Sequence, residues 1–440
     1  MKEPNILIIM SDEHRFDVTG FTGNKVVRTP HMDRLAAEGV VFSNAYCPSP
    51  ICIPCRQSFA AGQFPKHCKV EGFGEDLEPG YPTFARHFAR HAYETVAAGK
   101  LHHTGVDQMQ GYKKRIGMVG SVTEKNIENK NLDYFKKIEK KDFKWDQEKE
   151  IKRAGIGTKG VCEDDYTLQG VKLFIESYFL DTYYDRPSKH KPLMLYVGFN
   201  QPHYPYQTRE DKFKYYLNRV KLYENQEVFD HKFLNRFTVD ASDREKIRAV
   251  ASYYGMVETL DEYIGEILQS LENVGENLDD WIIIYTSDHG EMLGEHGVWE
   301  KQKFFEGSVK VPLVIRYGKN IKGGRTITQN VNLCDIYATL CDLCGIETLQ
   351  GLDSRSLMLL MQNQCEDWDN ESISQFVNGE EGQNLMIKRD HLKYQYYKLL
   401  DNEVLFDLEY DPEERINLIN DEKYANILDV FRRRKRELGF

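Results

Sequence analysis

Four short apolar runs constrain this chain more than any other feature. They read NILIIMS (Asn5 to Ser11), TVAA (Thr95 to Ala98), LMLYVGF (Leu193 to Phe199) and WIIIYTS (Trp281 to Ser287). None alternates with polar residues, which is the pattern of a strand covered on both faces in a parallel sheet. Each is followed within a few residues by polar or ionisable groups: Asp12-Glu13, Lys100-Leu101-His102-His103, Gln201-Pro202-His203 and Asp288-His289. Open α/β sheets take ligands beyond the carboxyl ends of their strands, so these four junctions are expected to converge on one site.

Helical signals alternate with the runs. Thr29-Pro30 ahead of HMDRLAAEG supplies an N-cap, a proline at the first helical position and a terminating Gly39. PTFARHFARHAY and YYGMVETLDEYIGEILQSLENVG are amphipathic in the same sense. The predicted fold class is therefore α/β, a large, mostly parallel central sheet flanked by helices. From about Tyr112 to Lys159 the sequence turns lysine-rich and weakly periodic. It reads first as a solvated insertion whose lysines alternate with glutamates, and second as a basic flap that captures an anionic substrate. After about Leu360, NLMIKRDHLKYQYYKLL and VLFDLEYDPEER look strand-like and precede a terminal helix. The expected division is a body of residues 1–360 and a smaller C-terminal α+β subdomain, 361–440, with a short antiparallel sheet.

A formal net charge of −11 argues against generic nucleic-acid binding, so an anionic substrate must meet a locally basic pocket. The opening MKEPNILIIMSDEHR has too short an apolar run for a signal peptide or a membrane span, and a cytoplasmic protein with no membrane partner is expected. Nine cysteines without secreted-scaffold spacing are expected to be thiols. Cys52 and Cys55 have a C-x-x-C spacing, which suggests a redox pair or half of a zinc site; no matching second pair supports zinc. Cys341 and Cys344 repeat the spacing inside an apolar-periodic helix, where buried thiols are the expected reading. Arg15 is close enough to Asp12 in sequence to reach its pocket, though a role elsewhere is favoured, and Glu295 and His296 are expected to shape the loop between Asp288 and Lys301.

Carboxylates and an imidazole at strand ends suit a hard or borderline divalent metal. With Cys52-Ile53-Pro54-Cys55-Arg56, GKLH, QPHYP, SDHGEMLGEHG and the tail VLFDLEYDPEERINL in this order, the chain resembles the sulfatase family of the alkaline-phosphatase-like superfamily, nearly end to end. The resemblance implies a sulfuric ester hydrolase in which a maturation enzyme oxidises Cys52 to formylglycine. The hydrated aldehyde is a geminal diol; one hydroxyl attacks sulfur, and the second expels sulfate and regenerates the aldehyde. By the same resemblance Arg56 stabilises the diol, and Asp12, Glu13, Asp288 and His289, with residue 52, hold the metal. Calcium is the first choice, with manganese or magnesium as alternatives. Lys100, His102 and Lys301 match the family's sulfate-binding cations, and His203 matches the group beside the leaving oxygen. Cys55 falls on a position the family leaves variable.

The substrate expected from the resemblance is a small sulfated carbohydrate or another alkyl or aryl sulfate. GKLHHTGVDQMQGYKKRIG is similar to the corresponding stretch of choline-sulfatase-like enzymes. The nearest rival is a phosphonate monoester or phosphodiester hydrolase of the same superfamily, against which Lys100 and His102 argue. Further rivals are a non-catalytic binding protein and a thiol-redox protein using Cys52 and Cys55.

Overall fold

The computed structural model of the protein describes residues 3–119, 147–158, 161–180, 190–223, 239–377 and 382–440. The strands in chain order are β1 (Asn5–Asp12), β2 (Val40–Tyr46), β3 (Glu94–Lys100), β4 (Lys114–Val119), β5 (Gly155–Ile156), β6 (Leu193–Pro202), β7 (Gln207–Thr208), β8 (Trp281–Ser287), β9 (Lys310–Val311), β10 (Leu313–Arg316), β11 (Arg325–Asn332), β12 (Glu371–Val377), β13 (Gln383–Arg389), β14 (Leu392–Tyr397) and β15 (Asn402–Asp407). The main sheet runs β11-β2-β10-β8-β1-β6-β3-β4, with β9 added to β2. The four apolar runs form the consecutive strands β8, β1, β6 and β3, paired in parallel, so their carboxyl ends share one edge as expected. β9 and β10 run antiparallel to their neighbours and make the sheet mixed.

Burial on both faces explains the lack of alternation. Along β1, Ile6, Ile8 and Met10 pack into one core and Leu7 and Ile9 into the other. The first core is covered by Cys52–Ala61, Phe84–Arg90 and Ile336–Cys344. The second is covered by Pro30–Glu38, Val161–Leu180 and Asp243–Asn273. The longest helix, Asp243–Asn273, starts at a Ser242/Glu245 capping box. It presents Leu260, Ile264, Ile267, Leu268 and Leu271 to the second core. Thr29 occupies the predicted N-cap, but its hydroxyl serves other partners: it accepts from Gly20 N and donates to Asp33 Oδ1.

The lysine-rich stretch differs at both ends from the expected insertion. Its first residues form β4, an edge strand parallel to β3, and Gly155–Ile156 pairs with β7. Charged residues on an edge strand block further pairing, which hides such a strand from an apolar-run search. Residues 120–146, most of the expected flap, lie outside the described residues. Among the described residues no helix is long and apolar enough to cross a membrane.

β12 to β15 form an antiparallel sheet in sequential order. The single strand-like stretch from Asn384 is a hairpin, β13 and β14, turned at Asp390 in left-handed conformation (φ 49°). One face of this sheet, with Phe376, Met386, Val404 and Phe406, joins the first core. The other packs Ile387, Tyr394 and Leu405 against Leu428 and Phe431 of the terminal helix Ala425–Glu437. Charge ties the sheet to the body as well: Lys393, with no exposed side chain, sits 2.9 Å from Glu306 and 2.7 Å from Glu414. Removing one partner of a buried ion group leaves uncompensated charge, so Lys393→Met should lower unfolding free energy by about 3–5 kcal/mol. Urea denaturation followed by circular dichroism measures this, and a loss below about 1 kcal/mol would show the triad to be dispensable.

Candidate active site

Asp12 ends β1, Asp288 and His289 follow β8, Lys100 ends β3 and His203 follows β6, while residue 52 opens the helix Cys52–Ala61 beyond β2. The approach of β3 to β6 requires glycine: Gly99 has φ 72°, and a Cβ there would lie 2.1 Å from Gly198 O. Pro54 stands in the first turn of its helix, where its missing N–H breaks no helical bond. That helix begins at Cys52, two residues before the proline.

Arg56 holds the carboxylates in place. Its Nε donates to Asp288 Oδ2 at 2.8 Å and its Nη2 to Asp12 Oδ2 at 3.0 Å. Further donations reach Lys100 O and Ser11 O, and Tyr196 OH accepts from Nη1 at 3.0 Å. Lys100 Nζ lies 2.8 Å from Asp12 Oδ2 and donates to Asn200 Oδ1 at 2.9 Å. Both cations therefore take Oδ2 of Asp12. Its Oδ1 faces Cys52 Sγ (3.8 Å), His203 Nε2 (3.8 Å) and His289 Nε2 (3.9 Å). Burial by itself would raise the Asp12 carboxyl, but the cations Lys100, Arg56 and Lys301 together hold it well below the usual range.

One ligand atom from each of Asp12, Cys52, Asp288 and His289 falls within a common 4.8 Å, and all four residues are buried. His289 Nδ1 lies 3.0 Å from Gly290 O, which fixes the proton there and turns the Nε2 lone pair toward Cys52 Sγ, 3.2 Å away. Two carboxylates, an imidazole and residue 52 make a chemically suitable divalent-metal site. Glu13 falls outside this group. Its N–H donates to Asp288 Oδ1, while its carboxylate faces Lys301 Nζ (3.4 Å) and His203 Nε2 (3.5 Å). With Asp12 and His203 it makes a second cluster of donors.

Lys301 Nζ stands 3.4 Å from Cys52 Sγ and donates to His203 Nε2 at 2.9 Å. His203 Nδ1 lies 2.7 Å from Tyr204 O. Burial, Lys301 and Lys100 all lower the His203 pKa, so the ring is neutral here. His102 is in left-handed conformation (φ 55°) and its Nδ1 is buried without a hydrogen-bond partner among the described residues. Burial followed by Lys100 keeps its pKa well below the ordinary value. The two cysteines of the C-x-x-C serve different partners: Cys52 faces His289 and Lys301, whereas Cys55 Sγ donates to Asp288 O at 2.8 Å. They are not disulfide-bonded, and burial, with Asp12 adding to it, pushes the Cys52 thiol up to about 12. A thiolate-based redox pair has no support in this geometry.

Several supporting residues were not singled out from sequence. Asn200 and Tyr196 lie on β6 just before the Gln-Pro-His motif, and proximity to that motif was the only available signal. Asp164 accepts from the N–H groups of Asn200 and Gln201, with no local sequence signature. Glu291 Oε1 accepts from Leu293 N and Glu300 N and shapes the loop leading to Lys301. Gln302 N donates to Pro50 O, tying that loop to the approach to Cys52. Arg15 points away from the pocket: its guanidinium pairs with Asp17 and Glu295, each at 2.7 Å. His296 stacks on Phe305 with centroids 4.1 Å apart, in keeping with the expected loop-shaping role of the Glu295-His296 pair.

Residues 4–346 match the family model described as Sulfatase, and residues 294–439 match N-sulphoglucosamine sulphohydrolase, C-terminal. The chain is 32% identical to a choline-sulfatase of Rhizobium meliloti (strain 1021), covering 94% of this chain and 82% of that protein. It is 29% identical to an arylsulfatase of Clostridium perfringens (strain 13 / Type A), covering 98% and 93%. Among solved structures, the phosphonate monoester hydrolase of Agrobacterium radiobacter superposes with a TM-score of 0.79 at 21% identity, covering 99% of this chain and 95% of that one, which establishes likeness of fold. The match over residues 4–346 and the 32% identity across nearly the whole chain show that it belongs to the sulfatase family, whose members hydrolyse sulfate esters.

Proposed function

We propose that this sulfatase cleaves the sulfate monoester of a small carbohydrate or another alkyl or aryl alcohol, with formylglycine made from Cys52 as its nucleophile. The observation that supports this reading is the position of residue 52. It stands at a helix N-terminus, inside a four-donor cluster, with Lys301 3.4 Å from its sulfur. Residues Asp12, Asp288 and His289, with residue 52, would hold the ion, and Glu13 borders the same group as a further candidate ligand. A bound divalent cation, calcium by this reading, supplies Lewis acidity at the reacting oxygen.

The side chains account for the rest. Arg56 and Lys100 neutralise the far oxygens of the carboxylates and fix their near oxygens toward residue 52. Lys100, His102 and Lys301 surround the place where negative charge grows on the transferring group, a preorganised field that needs no solvent rearrangement. His203 Nε2 accepts from the Lys301 ammonium and is positioned to pass on a proton taken from it to the departing alcohol oxygen. The same reading treats 1–360 as the catalytic unit and 361–440 as a subdomain that braces it through Lys393. It also makes a formylglycine-generating enzyme an obligatory partner in maturation.

Cys52→Ala should abolish turnover. Cys55→Ser, which keeps a donor toward Asp288 O, should retain activity within about threefold, in line with loss of no more than a fraction of one neutral hydrogen bond. Mass spectrometry of the Cys52 peptide from cells with a maturation enzyme should show the deficit of thiol-to-aldehyde conversion; an unmodified thiol in fully active protein would overturn the assignment. On a substrate panel, sulfate monoesters should have higher kcat/KM than phosphonate monoesters, and the reverse order would make the chain a phosphonate hydrolase. Chelation should lower turnover by about 100-fold or more, consistent with several kcal/mol of Lewis-acid stabilisation. Calcium should restore it; restoration by manganese or magnesium alone would reassign the ion.

A further inference from the structure

Phe73 is 64% exposed, yet its loop is firmly built. Glu75 Oε2 accepts from the N–H groups of Glu71 and Gly72, closing the loop on itself. Asp76 then ties it to the site: its carboxylate accepts from Gln57 Nε2 (2.5 Å), Gly105 N (2.6 Å) and Gln110 Nε2 (2.9 Å). Gln57 is the residue after Arg56, and Gly105 lies three residues beyond His102. Thr104 Oγ1 also donates to Glu75 O. From this anchored loop the Phe73 ring meets the His102 ring edge-on, with centroids 6.5 Å apart and planes at 83°.

A single exposed hydrophobic residue usually needs no explanation. Here the ring is presented by a loop that Asp76 and Glu75 tie to Gln57, beside Arg56, and to Thr104 and Gly105, just beyond His102, and it sits edge-on against the half-buried His102 imidazole. The groups nearest Cys52 are mostly charged and suit the sulfate; the Tyr204 ring lies beside Lys301 (5.1 Å from Nζ to its centroid) and against His203, and Phe73 adds a second ring next to His102. We propose that Phe73 is a specificity-determining residue, the aromatic wall on which the alcohol portion of the ester rests. It would favour alcohols with a ring, whose flat aryl face or the C–H face of a pyranose can cover the phenyl group, over short acyclic alkyl sulfates. The inference rests on the sulfatase reading and narrows its substrate class.

The test uses matured wild type, Phe73→Ala and Phe73→Tyr with phenyl sulfate, a pyranose 6-sulfate and ethyl sulfate. Loss of one aromatic contact should raise KM for the ring esters about tenfold, leave kcat within about twofold and leave kcat/KM for ethyl sulfate within about twofold. Phe73→Tyr should behave as wild type. An effect confined to one ring ester supports the wall and identifies which ring it takes. An equal loss on all three esters, or no change on any, overturns the proposal. If wild type turns over none of them, the proposed ester class fails on its own, and calorimetric affinities of wild type and Phe73→Ala for the same esters still decide the wall. An unchanged preference for ring esters in Phe73→Ala, or no such preference in wild type, would overturn it.

Discussion

The site depends on the guanidinium of Arg56, buried between two carboxylates carried by different strands. Asp12 and Asp288 lie at adjacent strand ends, and two ionised carboxylates so close would repel each other in a medium of low dielectric. The planar fork of an arginine can bridge them while keeping its own charge, which a lysine could not do with the same geometry. Because Arg56 sits one helical turn after residue 52, fixing its fork on the two aspartates also fixes where residue 52 stands. Helix, strands and charge are thus positioned by a single set of hydrogen bonds.

Much of the fold was legible because burial on both faces leaves a plain mark, an unbroken apolar run such as NILIIMS. The same argument located Asp12, Lys100, His203 and Asp288, since parallel strands in one sheet deliver their ends to one edge. β4 was hidden because an edge strand can be lysine-rich, and β13 with β14 read as one element because their turn uses Asp390 and His391 rather than glycine. Supporting residues were less visible. Asp164, Asn200 and Glu291 act through partners far away in sequence or through main-chain groups, and no local pattern distinguishes them from solvated polar residues. The direction of the Glu13 carboxylate was likewise a matter of tertiary packing, set in part by its left-handed backbone (φ 67°).

Backbone strain gathers around Lys301. Glu300 and Gln302, on either side of it, have φ of 67° and 65°, and Leu293 and His296 earlier in the loop are also left-handed. Each such non-glycine residue costs about 1 kcal/mol or more, which the surrounding contacts must outweigh. Those contacts are specific: Met292 N donates to Glu300 O, Glu291 accepts from Glu300 N, and Gln302 N donates to Pro50 O. The backbone around the lysine is therefore held in a fixed frame, which is what the charge-stabilising role proposed for Lys301 requires.

The buried Lys393 triad has a consequence for how this architecture can be recombined. Glu306, five residues after Lys301, accepts charge from β14, its N–H donates to Glu414 beyond β15, and Gln395 Nε2 reaches Phe304 O. The two family matches overlap over 294–346, the segment that carries both Lys301 and Glu306. The tail and this loop are thus joined by charge and by hydrogen bonds. A chimera that exchanged the C-terminal sheet alone would take Lys393 away from the buried Glu306 and leave it, among the described cations, only Lys310, 3.3 Å away, so a workable seam lies upstream of residue 294 rather than at the visible start of the second sheet.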